Sequence, residues 1–419
     1  MVTQVEQLVA TAGQLAKAGR WDDAERAWLE VKRLEPRHPK ALFSLGVHAL
    51  KRGDVGGAYD LLREARKEAP RDLMVLMTLV AACKARGDAE AEREAIEAAL
   101  VIDAYFLPAL LARSSWLERS GSADAAAAMY ANALRVAPPR EHWPDILRTQ
   151  LAHAREVVDR RTGKYSAYLA EKLAGALAAV PPETAGRWRE AESIFAGRST
   201  PFHSECNQLY VPRLPAIPFF DRSHFPWMAA LEARTTVIRD EILRALEADR
   251  GNFRPYIAYN PGEPVNQWQE LNHSERWSTY DLWRGGTPVR EHLDRCPETA
   301  RALSEVEKVE IGGLCPNALF SALAPKTHIP PHNGETNARL VAHLPLIVPE
   351  GCRLRVGFEE RMWNVGEVMV FDDTLEHEAR NDSDELRVVL IFDVWNPLLQ
   401  PVERAMVQAM AAAAREFRL

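Results

Sequence analysis

Glycines at positions 19, 53, 87 and 121 stand 34 residues apart, and this fixed period constrains the fold more than any other feature of the chain. Other positions keep the same phase. Small Ala24, Ala58 and Ala126 follow their glycines by five residues, bulky Trp28, Leu62, Ile96 and Tyr130 by nine, and Pro36, Pro70 and Pro138 by seventeen. A glycine that accepts left-handed backbone ends one helix, an alanine lets two helices approach closely, and a proline closes the second helix. The pattern predicts stacked helical pairs over roughly residues 3–138. The third unit departs from it, with Glu92 and Ala104 at the alanine and proline places, which predicts a local distortion there. An unrelated antiparallel bundle would show the same amphipathic periods but not the fixed spacing.

A period of 34 residues with this glycine, alanine and proline pattern is that of the tetratricopeptide repeat. Residues 139–200 stay helical in character, with Ala-rich stretches at 168–180 and 184–195, and are expected to cap the array. The character then changes. Between residues 200 and 226 prolines and aromatics erase every period, as in Tyr210-Val211-Pro212-Arg213-Leu214-Pro215, so a boundary is placed there. A chain of 419 residues is long enough for two cores, and the division expected is a repeat domain over 1–199 and a second domain over 200–419. In the second domain one helix is expected at 227–246, followed by short strands at 318–324, 339–347, 353–358, 367–371 and 387–394. Turns at Glu350-Gly351 and Asn364-Val365-Gly366 separate some of them. Consecutive short strands without intervening helices predict an antiparallel sandwich or barrel, and a double-stranded β-helix, or jelly roll, fits best. The fold class expected is therefore α+β and multidomain.

Composition narrows the partners. A net charge of -7, a sequence pI near 6.0 and the absence of any block of Lys and Arg give a nucleic-acid backbone no electrostatic footing. Five cysteines, odd in number and without C-x-x-C spacing, fit reduced thiols in a cytoplasmic protein. The stretch from Met1 to Arg20 has no apolar run of signal-peptide length, and no segment approaches the roughly 18 apolar residues of a membrane span.

The chemistry is carried by an ordered set of side chains. His332 is followed 45 residues later by His377, and ten residues after that Arg387 opens an apolar strand. Two imidazoles on neighbouring strands can bind Fe(II) on one side and leave positions open for an α-keto acid and dioxygen. An arginine inside a barrel needs an anion, and its planar fork matches a carboxylate, so Arg387 is read as the clamp for 2-oxoglutarate. The alternative is a surface arginine at a strand's first residue. Either histidine alone, among twelve in the chain, would more often be structural or exposed. For His328 the expectation is local packing beside Pro330 and Pro331. For His343, a core role and a cosubstrate contact are weighed equally.

These residues are set in longer motifs: Tyr210-Val211-Pro212-Arg213-Leu214-Pro215, Phe225-Pro226-Trp227-Met228-Ala229-Ala230-Leu231-Glu232, Pro325-Lys326-Thr327-His328-Ile329-Pro330-Pro331-His332, Phe371-Asp372-Asp373-Thr374-Leu375-Glu376-His377-Glu378 and Phe392-Asp393-Val394-Trp395-Asn396-Pro397. Over residues 202–397 they resemble the aspartyl/asparaginyl β-hydroxylases. The resemblance implies a double-stranded β-helix, Fe(II) held by His332 and His377, and 2-oxoglutarate held by Arg387 with help from Ser321, Arg339 and His343. The usual facial triad would need a carboxylate at Gly334, two residues after the first histidine. Glycine at that place is itself a mark of the family, with water completing the coordination. Glu335 stands one residue too far along for the standard geometry. Where the animal enzymes carry two arginines before the position of His343, this chain keeps Arg339 and has Val341 at the other, which implies altered contacts to cosubstrate or substrate. The implied reaction couples oxidative decarboxylation of 2-oxoglutarate by dioxygen to hydroxylation of an unactivated carbon. An Asp- or Asn-type residue of a peptide or protein, presented through the helical repeats, is the expected target. A small-molecule or lipid substrate, or a non-catalytic repeat scaffold, is the alternative.

Overall fold

The computed structural model describes residues 4–418. They divide into two compact units, one comprising the residues up to Pro181 with Ala191–Ser199, the other Pro182–Glu190 with Thr200 onward.

In the first unit eight helices follow one another, Gln4–Lys17, Trp21–Leu34, Pro39–Lys51, Val55–Glu68, Leu73–Arg86, Ala89–Ile102, Leu107–Arg119 and Ala123–Val136, each packed on the next. The proposed first residue of the array, Thr3, lies outside the described residues. Gly19, Gly53, Gly87 and Gly121 each close a first helix with φ of 73°, 80°, 75° and 80°, the left-handed region in which a side chain would be strained. Ala24, Ala58 and Ala126 are fully buried where the paired helices touch. The distortion expected in the third repeat is absent. Glu92, in the alanine's place, is buried and accepts a hydrogen bond of 2.6 Å from Arg119 Nη2 on the next repeat, so an ion pair takes up the space of a small-residue contact. After the repeats, a single helix of 34 residues, Asp145–Ala178, spans what the Ala-rich stretch alone had marked as its last part, and Pro182–Phe195 follows.

The second unit is built on strands β1 (Arg254–Pro255), β2 (Trp277–Arg284), β3 (Thr287–Pro288), β4 (Ala318–Leu323), β5 (Thr327–His332), β6 (Arg339–Ile347), β7 (Cys352–Val356), β8 (Glu359–Met362), β9 (Met369–Phe371), β10 (His377–Asn381) and β11 (Arg387–Trp395). The larger sheet has the order β1-β2-β4-β11-β6-β9, with β3 on β2, and the smaller β5-β10-β7-β8. All strand pairings are antiparallel, and from β4 onward the chain passes back and forth between the sheets in the manner of a double-stranded β-helix, apart from the hairpin β7–β8, which stays within the smaller sheet.

The outer face of the large sheet, including Tyr280, Leu282, Phe320, Leu344 and Leu390, packs with Ile238, Ile242 and Leu303 of the flanking helices. Its inner face, including Leu323, Val341, Phe371 and Val389, meets Ile329, Leu354, Val356 and Ala379 of the small sheet. Burial on both faces explains why β4, β6 and β11 read as near-continuous apolar runs rather than alternating ones. The helix expected at 227–246 is two, Met228–Glu232 and Thr235–Ala248. A last helix, Pro401–Arg418, was not anticipated.

Candidate active site

β5 and β10 place His332 and His377 directly opposite each other, and their ring centroids are 4.0 Å apart. A register shift between His377 and Ala379 bends β10 at this point. The loops on either side are tied together. Gly334 N–H donates to the Asp373 carbonyl (2.7 Å) and Asn333 Nδ2 to the Thr374 carbonyl (2.8 Å). Asp372, buried, accepts from both the backbone N–H and the hydroxyl of Thr374 and so shapes the turn that leads into β10. Burial raises its carboxyl to about 6.

Each histidine donates Nδ1–H to a nearby carbonyl, His332 to Pro330 (2.8 Å) and His377 to Leu375 (3.1 Å). That bond fixes the tautomer and leaves both Nε2 lone pairs free, the arrangement by which proteins orient metal-binding imidazoles. Burial, with His377 beside it, holds His332 down to about 3, and burial holds His377 down to about 4, so both rings are neutral at physiological pH. Among the described residues no group of three or more His, Cys, Asp or Glu is placed to hold a metal ion. Among the described residues, then, no further imidazole, thiolate or carboxylate joins the His332–His377 pair as a candidate ligand.

From the histidines a closed circuit of contacts runs around the interior. His377 meets Phe371 at 5.7 Å, Phe371 meets His343 at 4.8 Å, and the Trp363 indole donates to His343 Nδ1 at 3.2 Å. Trp363 also lies under the Arg387 guanidinium at 4.8 Å, and Arg387 Nη1 donates to Ser321 Oγ at 3.3 Å. Ser321 Oγ further accepts from Trp277 Nε1 at 3.1 Å, and the Trp277 ring returns to His332 at 6.4 Å.

Three donors converge within this ring. Arg387 is 1% exposed, has no carboxylate partner, and its Nε has no hydrogen-bond partner, while burial lowers its pKa to about 10. Since Ser321 Oγ already accepts twice, its own proton is left to donate. His343 accepts at Nδ1 and so carries its proton on Nε2, and burial followed by the nearby Arg387 keeps it neutral. A buried, uncompensated guanidinium flanked by two neutral donors is a receptacle for an anion. Thr279, aligned with Ser321 across β2 and β4, adds a buried hydroxyl without a partner, which sequence patterning did not single out. Trp363 was likewise missed, because nothing in Arg361-Met362-Trp363 marks its ring as the floor under a guanidinium.

The remaining expected residues lie elsewhere. Arg339 is buried and countered by Asp373 (2.6 Å) and Asp393 (3.2 Å), close ion pairs whose guanidinium hydrogens are not aligned as hydrogen bonds. Glu335 bonds Gln208 (3.3 Å) and lies 3.9 Å from Arg339. A Cβ on Gly334 would fall 2.1 Å from Asp373 Oδ2, so the position where a third carboxylate would begin is already filled. His328 does more than pack beside prolines, because it bonds Glu378 at 2.6 Å.

Paired histidines on facing strands and a buried arginine at the head of the last strand thus lie together in the interior of this double-stranded β-helix. The chain belongs to the aspartyl/asparaginyl β-hydroxylase family, whose profile matches residues 232–397. Mouse aspartyl/asparaginyl β-hydroxylase is 34% identical over 182 residues, covering 43% of this chain and 23% of that protein. The ornithine lipid ester-linked acyl 2-hydroxylase of Rhizobium tropici is 32% identical over 203 residues, 47% of this chain and 67% of that protein. The chain thus spans under a quarter of the animal relative's length. Among solved structures, a thermophilic TPR protein of Thermus thermophilus is similar at 23% identity and a TM-score of 0.31, covering 46% of this chain and 99% of that one. No helix among the described residues is long and apolar enough to cross a membrane.

Proposed function

We propose that the second unit is an Fe(II)- and 2-oxoglutarate-dependent hydroxylase. The observation that carries the reading is the opposed chemistry of its interior: two neutral imidazole lone pairs at one place and three converging donors around an uncompensated guanidinium at another. Two Nε2 atoms suit Fe(II), with open positions left for water, cosubstrate and dioxygen. When bound, iron supplies the activation of dioxygen, coupled to decarboxylation of 2-oxoglutarate.

The chain's own residues provide position and shielding. Arg387 would hold the distal carboxylate of 2-oxoglutarate, Ser321 and His343 would donate to its oxygens, and Trp277 and Trp363 hold those donors in place and would exclude water. Pro330 and Leu375 carbonyls keep the Nδ1 protons of the metal-binding imidazoles engaged. Arg339, expected to touch the cosubstrate, we assign instead to holding Asp373 and Asp393, since both already neutralise it.

The substrate reading follows the family name: an Asp- or Asn-type residue of a peptide or protein, brought by the helical repeats, whose stacked pairs offer an extended surface. The Rhizobium relative, named for an acyl 2-hydroxylase activity, favours a second reading in which the target is an acyl chain. Metal analysis and titration test the cofactor assignment. The double variant His332→Ala/His377→Ala is expected to purify without iron, and Arg387→Ala to bind iron but require about 30-fold or more additional 2-oxoglutarate, since losing a bidentate charged pair costs about 2–5 kcal/mol. Full iron occupancy in the first, or unchanged affinity in the second, refutes it.

A further inference from the structure

Among the described residues two arginines, Arg339 and Arg387, are buried in the interior of the second unit, and their partners limit what a substrate can bring. Arg387 faces the cosubstrate in the reading above, on which this inference rests. Arg339 is surrounded by three carboxylates, Asp373 at 2.6 Å, Asp393 at 3.2 Å and Glu335 at 3.9 Å. Burial raises the pKa of both Asp393 and Glu335, the nearby Arg339 opposing the shift in each. A substrate carboxylate entering here would meet net negative charge and find no free cation.

The surface beside the histidines is apolar. Val341 stands opposite Phe371 on β9 and Asp393 on β11, and the Phe371 ring edges against His377. Leu319 and His343 flank Ile391 on its two neighbouring strands. Ile391 is informative because β11 is hydrogen-bonded on both edges and Val388, Val389 and Leu390 are wholly buried, yet Ile391 is partly exposed. It shares its face with Val389, which points between the sheets. A residue so placed reaches solvent only through an opening in the interior, so that opening is lined by Ile391 and its neighbours.

We propose that the group delivered to the paired histidines is uncharged and aliphatic, in place of the Asp- or Asn-type target that the family name suggests, and that Val341, Leu319 and Ile391 set this preference. The reaction replaces one substrate C–H by C–OH. One oxygen atom of dioxygen enters the substrate, the other enters succinate, and carbon dioxide leaves from 2-oxoglutarate. An acyl chain and an aliphatic peptide side chain share this chemistry, and the experiment separates them.

Full-length protein with Fe(II) and 2-oxoglutarate is titrated with two matched pairs of probes. One is hexanamide against hexanoate, the other an acetylated, amidated pentapeptide with a central Leu against the same peptide with a central Asp. Succinate release reports probe-induced turnover. In at least one pair the neutral member should act at a concentration lower by about tenfold or more, because an unpaired carboxylate taken out of water is strongly penalised. The pair that responds identifies acyl chain or side chain. An anionic probe that equals or surpasses its neutral partner overturns the proposal, as does silence from both neutral probes while 2-oxoglutarate still binds. Val341→Arg, or Leu319→Lys should the first not fold, should narrow the gap about tenfold, with thermal midpoint and 2-oxoglutarate titration confirming an intact domain. A folded variant with unchanged selectivity refutes the role of that residue. If the wild-type protein fails to bind 2-oxoglutarate, the cosubstrate reading falls, whereas the charge preference is still read from calorimetric binding of the same four probes.

Discussion

Gly334→Ala should destabilise the second unit far more than a single methyl group suggests. The new Cβ would lie 2.1 Å from Asp373 Oδ2, 2.3 Å from its Cγ and 2.6 Å from Oδ1, against the about 3.5 Å of an ordinary contact. The carboxylate would have to retreat by more than about 1 Å, and it has nowhere to go, because Asp373 is buried and held at 2.6 Å by Arg339 Nη1. Either the ion pair opens in the interior, at about 3–5 kcal/mol, or the loop shifts as an overpacked site, at about 1–3 kcal/mol. A loss of about 3 kcal/mol is expected. Urea unfolding followed by near-UV circular dichroism measures it, and for a unit of this size the thermal midpoint should fall by roughly 6–12 °C. The double variant Gly334→Ala/Asp373→Ala supplies the control. If the collision is the cause, the double variant is no less stable than Asp373→Ala alone. A Gly334→Ala protein within about 0.5 kcal/mol of wild type, or a double variant whose loss equals the sum of the singles, refutes the reasoning. For the same steric reason Gly334→Asp should gain no third metal ligand.

Three further outcomes are expected. In metal-free protein the depressed His332 and His377 leave the folded state binding fewer protons than the unfolded chain below the ordinary value of 6.5, so stability is full above that pH and falls as pH drops toward about 4 and 3. Each imidazole contributes up to about 1.4 kcal/mol per pH unit, and denaturant melts at several pH values should show a dependence that His332→Gln/His377→Gln lacks; equal slopes contradict it. In the repeats, Arg119→Ala should cost about 1–3 kcal/mol by stranding buried Glu92, whereas Glu92→Ala, which restores the small residue of the other repeats, should cost less; the reverse order in thermal melts would contradict the account. Cutting the chain near Thr200 should, in a folded truncation, impair hydroxylation of a polypeptide substrate more than uncoupled succinate formation, and equal rates would argue against a positioning role for the repeats.

The repeats were legible because their determinants are local. A glycine that must adopt positive φ and an alanine at a helix crossing are written at fixed intervals, and both sit where the spacing placed them. Only Glu92 misled, because its partner Arg119 lies 27 residues away and no local pattern announces that contact. In the sheet domain β4, β6 and β11 were visible through their apolar runs. β5 was not, because two consecutive prolines, Pro330 and Pro331, argue against a regular strand; it is an edge strand, paired only with β10, where missing donors are tolerated. β10 was hidden by Glu378 and Arg380, which alternate outward against buried His377, Ala379 and Asn381. At the site, the order of His332, His377 and Arg387 could be read along the chain. That Ser321 and His343 point donors at the same space depends on Trp277 and Trp363, which become their neighbours only when the sheet closes.

His332 and His377 belong to one sheet, and Arg387, Ser321 and His343 to the other. On the assignment proposed above, a metal held by the histidines fastens only adjacent strands of the small sheet. The cosubstrate, gripped at its far end by Arg387, is a strut between the two walls of the domain. Oxidative decarboxylation would shorten that strut by one carbon and turn its keto carbon into a carboxylate. The bound cosubstrate, rather than any set of metal ligands, would then be the element that joins the two sheets across the site.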